Sequence, residues 1–112
     1  MSMHETALAK RILDVVIARA RGSRVTRVRG VVAEDEALSH PALAFHFEAH
    51  ARGTPAEGAV LELELRHVTA RCSSCGLVFL PEHHARLCPR CGSLETALEG
   101  ETGVYVSSID VE

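Results

Sequence analysis

Tryptophan is absent from this 112-residue chain, and only one tyrosine and three phenylalanines supply aromatic surface. Single-stranded nucleic acid is commonly held by stacking bases on aromatic rings along a basic track. Neither part is present: fifteen acidic residues outnumber twelve basic ones, for a formal net charge of −3, and no basic stripe runs along the chain. Nucleic acid is therefore not an expected partner. Long apolar runs are missing as well, since stretches such as Val15 to Ala18 fall far short of a bilayer's thickness. No membrane insertion is expected. No signal peptide is read ahead of the first helix, so the expected compartment is the reducing cytoplasm. Internal repeats and low-complexity segments are also lacking. The length suits one domain, or one small domain carrying an insertion.

Cysteine is confined to one stretch, all four lying between Cys72 and Cys91. Cys72-Ser73-Ser74-Cys75 and Cys88-Pro89-Arg90-Cys91 are C-x2-C pairs separated by twelve residues. Each such turn aims two sulfurs at one point, and a loop of this length brings the pairs together in the tetrahedral arrangement that suits Zn2+. Gly76 and Gly92 follow the pairs, where a tight knuckle needs positive φ. The expectation is a closed, four-thiolate zinc ribbon. Two disulfides or a thioredoxin-like redox pair are the alternatives, but no βαβ pattern surrounds the pairs and no secretion signal favours oxidation. Four thiolates leave zinc no position for water or substrate, so a structural ion is expected rather than a zinc hydrolase. A nucleic-acid-binding zinc ribbon and a scaffold that binds only proteins stand as rival readings. Four thiolates and one Zn2+ take the formal charge to about −5, and Arg71, Arg86 and Arg90 lie beside the ligands in sequence to offset it. His83 and His84, between the pairs, read either as solvated loop residues or as groups that touch the metal shell. Seven histidines exceed what packing a chain of this size requires, and with the cysteines they point towards metals.

Around the cysteines the order is helix, strand, helix, strand, zinc loop, strand. Met1 to Glu5 reads as a polar lead-in, and Thr6 to Arg21 as an amphipathic helix with Leu8, Ile12, Val15, Val16 and Ala20 in one stripe. Arg24 to Ala33 reads as a strand with Val28 and Val32 opposite Arg27 and Arg29. Glu34, Asp35 and Glu36 read as a solvated turn. It leads into a second helix over Pro41 to Arg52, where Leu43, Phe47 and Ala51 share a side. Ala59 to Arg66 alternates Leu61, Leu63 and Leu65 with Glu62, Glu64 and Arg66, as a strand buried on one face does. Val104 to Val111 closes the chain as a strand with Tyr105, Ile109 and Val111 on one side. The fold class that covers these stripes is α+β: a three-stranded sheet covered by two helices, with an inserted four-cysteine zinc-ribbon subdomain. The expected division is an α/β domain of residues 1–68 and 98–112 and a zinc-binding domain of residues 69–97.

The remaining chemistry sits at the leading end, in Met3-His4-Glu5. A histidine close to an amino terminus can combine its imidazole with the terminal amine and deprotonated amides in a flat nitrogen site suited to Ni2+ or Cu2+, and Glu5 can add an oxygen. Several stretches together resemble the HypA family of hydrogenase nickel-incorporation proteins. They are Met3-His4-Glu5 leading to Ile12-Leu13-Asp14-Val15-Val16, then Gly53-Thr54-Pro55-Ala56-Glu57-Gly58-Ala59, Cys88-Pro89-Arg90-Cys91-Gly92-Ser93 and Ser108-Ile109-Asp110-Val111-Glu112. The resemblance runs in order over essentially the whole chain. It implies a nickel metallochaperone and not an enzyme. His4 would be the principal nickel ligand and Glu5 its neighbour, in a nickel-binding α/β domain, with Cys72, Cys75, Cys88 and Cys91 holding structural zinc. It further implies delivery to the [NiFe]-hydrogenase large subunit with help from a HypB-type GTPase, by a monomer or weak homodimer.

Met1 and Ser2 precede the motif. With Met3 as the start, its amine is free for the ion. With Met1 removed, His4 becomes the third residue, and an amine, two amides and an imidazole close around a square-planar ion. With Met1 retained, the amine is one residue too far and binding is expected to weaken.

Overall fold

Helix α1 spans Met3–Ala20 and begins three residues before the expected Thr6. The computed structural model describes the backbone of residues 3–82 and 86–112, with side chains from Glu5 onward in those spans. Met1, Ser2, the His4 side chain, His83 and His84 lie outside the described residues. The early start has a visible anchor: Glu5 is buried, and its Oε2 accepts a hydrogen bond from the Ser39 amide at 2.9 Å. A carboxylate in the first turn also suits the helix dipole. Leu8, Ala9, Ile12, Leu13, Val16 and Ala20 are buried, whereas Val15 is 40% exposed. The stripe is therefore centred one position to the side of the expected one, through Leu13 instead of Val15. Arg21 and Gly22, at φ 50° and 87°, turn the chain out of the helix, and the Ser23 amide donates to the Ala20 carbonyl.

Helix α2, His40–Ala51, starts behind Ser39, whose Oγ accepts from the Ala42 amide, and carries Pro41 in its first turn. Leu43, Phe47 and Ala51 are its buried residues, as the spacing predicts. Three strands, β1 (Val25–Glu34), β2 (Val60–His67) and β6 (Gly103–Val111), form a sheet in the order β2-β1-β6. Val28, Val32, Leu61 and Val106 join both helices in one core cluster. On the other face Arg29 pairs with Glu62 at 3.1 Å and with Asp110 at 3.1 Å, and Arg27 pairs with Glu62 at 3.3 Å. The architecture is α+β, with two helices and a three-stranded sheet sharing a core.

In β6 the observed face differs from the expected one. Tyr105 is 69% exposed and Val111 is also exposed, while Val106 is buried. Val104 and Ile109 pack against the core, so the two-residue alternation slips by one between Val106 and Ile109. A strict period of two, applied from Ile109 backwards, puts Tyr105 on the wrong side. Where β1 and β6 meet, Gly30 of β1 sits so close to the Tyr105 carbonyl that any side chain would collide with it.

Three short strands, β3 (Ala70–Cys72), β4 (Val78–Phe79) and β5 (Thr96–Leu98), make a second sheet in the order β4-β3-β5. Arg71 lies opposite Val78 on one side and Ala97 on the other, both pairings antiparallel. The chain divides into two compact units, one of Met1–Val32, Leu38–Leu65 and Val104–Glu112, the other of Ala33–Ala37 and Arg66–Gly103. The acidic segment belongs to the second unit and is not a solvated turn. Glu34, Asp35 and Glu36 are all buried, the Val68 amide donates to the Glu34 carbonyl, and Arg86 holds the Asp35 carboxylate. Among the described residues no helix is long and apolar enough to cross a membrane.

Candidate metal centre

Each C-x2-C pair is shaped by its own backbone. The Gly76 amide donates to the Cys72 carbonyl and the Gly92 amide to the Cys88 carbonyl, both at 2.9 Å. These closures need left-handed residues, and Gly76 and Gly92 have φ of 79° and 73°. The turns are tied together beyond the sulfurs: Ser73 donates from its amide and its hydroxyl to the Glu95 carbonyl, and Ser74 Oγ lies 3.0 Å from Ser93 Oγ. Strand β3 then delivers Cys72, paired with Thr96, into the interior of the unit.

The result is one cluster. The ligand atoms of Cys72, Cys75, Cys88 and Cys91 all lie within 4.8 Å of one another. Cys72 Sγ is 3.6 Å from Cys91 Sγ, and Cys75 Sγ is 3.6 Å from Cys88 Sγ, so the close approaches run between the two turns. A disulfide needs about 2.05 Å, and all four cysteines are free. A tetrahedron with Zn–S bonds of about 2.3 Å has edges of about 3.8 Å. The four sulfurs fit that ion, and with every vertex a sulfur the site is suited to structural zinc.

Electrostatics also calls for a cation among the sulfurs. The Cys91 amide, donating towards Cys88 Sγ at 3.5 Å, lowers Cys88 to about 6, with the Arg90 amide adding to it against desolvation. Cys72 is also lowered, chiefly by the Cys75 amide. Cys91 behaves differently. The Ser93 amide favours its thiolate, but the neighbouring sulfurs, Cys72 first, and desolvation outweigh that and push it up to about 11. Four crowded sulfurs cannot all ionise without a cation among them, and a dication supplies the missing charge.

Two arginines expected to offset the thiolates are engaged elsewhere. Arg71 Nε donates to Glu99 Oε2 at 2.9 Å, and this pair, with Thr69, lowers the Glu99 carboxyl. Arg86 is bound to Asp35. Charge compensation near the sulfurs comes mainly from backbone amides, which a reading of charged residues overlooks. His67, not singled out in the sequence, donates from Nε2 to the Pro81 carbonyl at 2.6 Å and so ties the end of β2 to the segment after β4. At the leading end His4 falls in the first turn of α1, where the amides have no intrahelical acceptor. Glu5 lies beside it with Oε2 on the Ser39 amide.

Comparison with known proteins places this arrangement. A family described as "Hydrogenase/urease nickel incorporation, metallochaperone, hypA" matches residues 3–111. The chain belongs to the HypA family. Among curated relatives, the hydrogenase maturation factor HypA of Chlorobaculum parvum is 34% identical over 113 residues, covering 98% of this chain and 100% of the relative. That of Methanopyrus kandleri is 32% identical, covering 98% and 94%, and that of Klebsiella pneumoniae is 31% identical, covering 98% and 100%. The fold is also that of the solution structure of the Ni metallochaperone HypA from Helicobacter pylori, with a TM-score of 0.57 at 18% identity over 96% of both chains. The family is one of nickel-incorporation metallochaperones and hydrogenase maturation factors, and the four-cysteine cluster of this chain is suited to hold a metal ion.

Proposed function

We propose that this chain carries Ni2+ at its leading end and hands it on for maturation of [NiFe]-hydrogenase, while zinc at the cysteines holds the second unit in shape. The observation that carries the reading is the family match over residues 3–111, which takes in Met3, His4 and Glu5. His4 is the principal ligand through its imidazole, and Glu5 neighbours it. With Glu5 Oε2 already on the Ser39 amide, Oε1 is the oxygen assigned to the ion.

Helical amides point along the axis, so they cannot also converge in one plane on a metal. Nickel held by amine, amides and imidazole therefore peels the first residues out of α1. The Glu5–Ser39 bond marks where unwinding stops. A terminal site of few protein ligands releases its cargo on contact more readily than a closed cage, which suits a carrier. Copper outranks nickel in intrinsic affinity for such a site, so selectivity rests on geometry, docking and supply. The proposed recipients are the hydrogenase large subunit, reached with a HypB-type GTPase, in the cytoplasm.

Delivery is tested in cells that lack their own copy of this function and make nickel-free hydrogenase precursor. The wild-type chain should restore nickel to the precursor and His4→Ala should not, with both chains isolated carrying equal zinc. Restoration by His4→Ala at wild-type level would overturn the reading.

A further inference from the structure

Three histidines lie on α2, and the proposed nickel carrier uses none of them. His46 and His50 are four residues apart on this helix, one turn from each other on the same face, and both are half-buried. We propose that His46 and His50 form a second, weaker site for a borderline dication such as Ni2+ or Cu2+, with ligands other than His4, Glu5 and the cysteines.

The chemistry is that of two imidazoles at i, i+4, a spacing that lets both rings turn to one ion above the helix surface. Imidazole suits nickel and copper better than the hard cations, which prefer oxygen. Packing orients one of the rings. Thr6 of α1 places its Oγ 3.1 Å from His46 Nδ1 and 3.2 Å from Nε2, and the hydroxyl can serve only one nitrogen at a time. When the ring N–H donates to Thr6, the other nitrogen keeps its lone pair for a metal, the arrangement by which outer-shell partners fix a ligating imidazole. Phe45 meets the same ring edge-on, with centroids 5.5 Å apart, and limits its rotation. No third histidine, cysteine or carboxylate completes a cluster here among the described residues. Water fills the remaining positions, and two protein ligands give weaker binding than four.

Titration of the zinc-loaded, full-length chain with NiCl2 tests the site, using the metal alone and counting zinc in every sample. In the His4→Ala chain one weak nickel equivalent should remain. Adding His50→Gln, which keeps the size of the side chain and leaves the core untouched, should weaken that uptake about tenfold or more, and His46→Gln should do the same. Residual uptake that is absent from His4→Ala, or unchanged by both glutamine substitutions, overturns the proposal. The two ideas fail separately: the leading-end site fails if His4→Ala binds like wild type, and the helix site fails if His50→Gln binds like its parent.

Discussion

Arg86 holds a single carboxylate oxygen of Asp35, donating from Nε at 3.1 Å and from Nη2 at 3.0 Å across 51 residues of chain. The acid is buried and the arginine half-exposed, with side-chain exposures of 4% and 49%. Removing the arginine leaves a buried carboxylate short of two donors. Arg86→Ala should therefore cost about 1.5–3 kcal/mol, the range for hydrogen bonds to a charged group, read as a lower denaturant midpoint in the zinc-loaded protein. A midpoint unchanged from wild type would show that Asp35 does not depend on this partner.

How much of this was legible beforehand depends on distance along the chain. The two cysteine turns, the Ser39–Pro41 start of α2 and the Leu43-Phe47-Ala51 stripe follow from neighbours within a few residues, and the structure has them as expected. Asp35 and Arg86 have nothing local to announce them, so the acidic run read as a turn in water. Tyr105 was misplaced because the period slips inside β6, and the onset of α1 because its anchor, Ser39, is 34 residues away. The thiolates' backbone donors were invisible for another reason: amides belong to every residue and have no letter of their own.

Gly30 permits the close approach of β1 and β6. A methyl group there would press on the Tyr105 carbonyl and on Val106 Cα, both backbone and unable to swing aside. Gly30→Ala should destabilise the protein by about 1–3 kcal/mol through forced separation of the strands. Chemical denaturation measures it, and zinc content should stay at the wild-type level. A neutral or stabilising effect would mean that the strands part without cost.

Zinc affinity should fall on acidification. Cys91, held up at about 11 in the metal-free cluster, still carries its proton at neutral pH, and zinc binding expels it. Cys88 is a thiolate until the pH drops through about 6. Below that point its proton must be displaced too, so affinity should decline more steeply there. Competition with a chromophoric chelator over a series of pH values reads the slope, and a flat profile would contradict thiolate ligation.

Cys88→Ser replaces one buried sulfur of the four. The variant should lose most of its zinc and the order of residues 66–103, while the core around Phe47, Leu8 and Ile12 keeps its helices. Metal analysis beside the far-ultraviolet helical signal checks this. Full zinc content would require a ligand other than these sulfurs.

The proposed nickel site at the leading end and the proposed zinc site at the cysteines are different sites. Nickel titration of the protein with its amine at Ser2 or Met3, beside His4→Ala and with zinc counted in both, tests this most directly. The account predicts one tight nickel in the wild type that is missing from His4→Ala, at unchanged zinc. Equal tight nickel in the two proteins, or nickel gained only as zinc is lost, would contradict it.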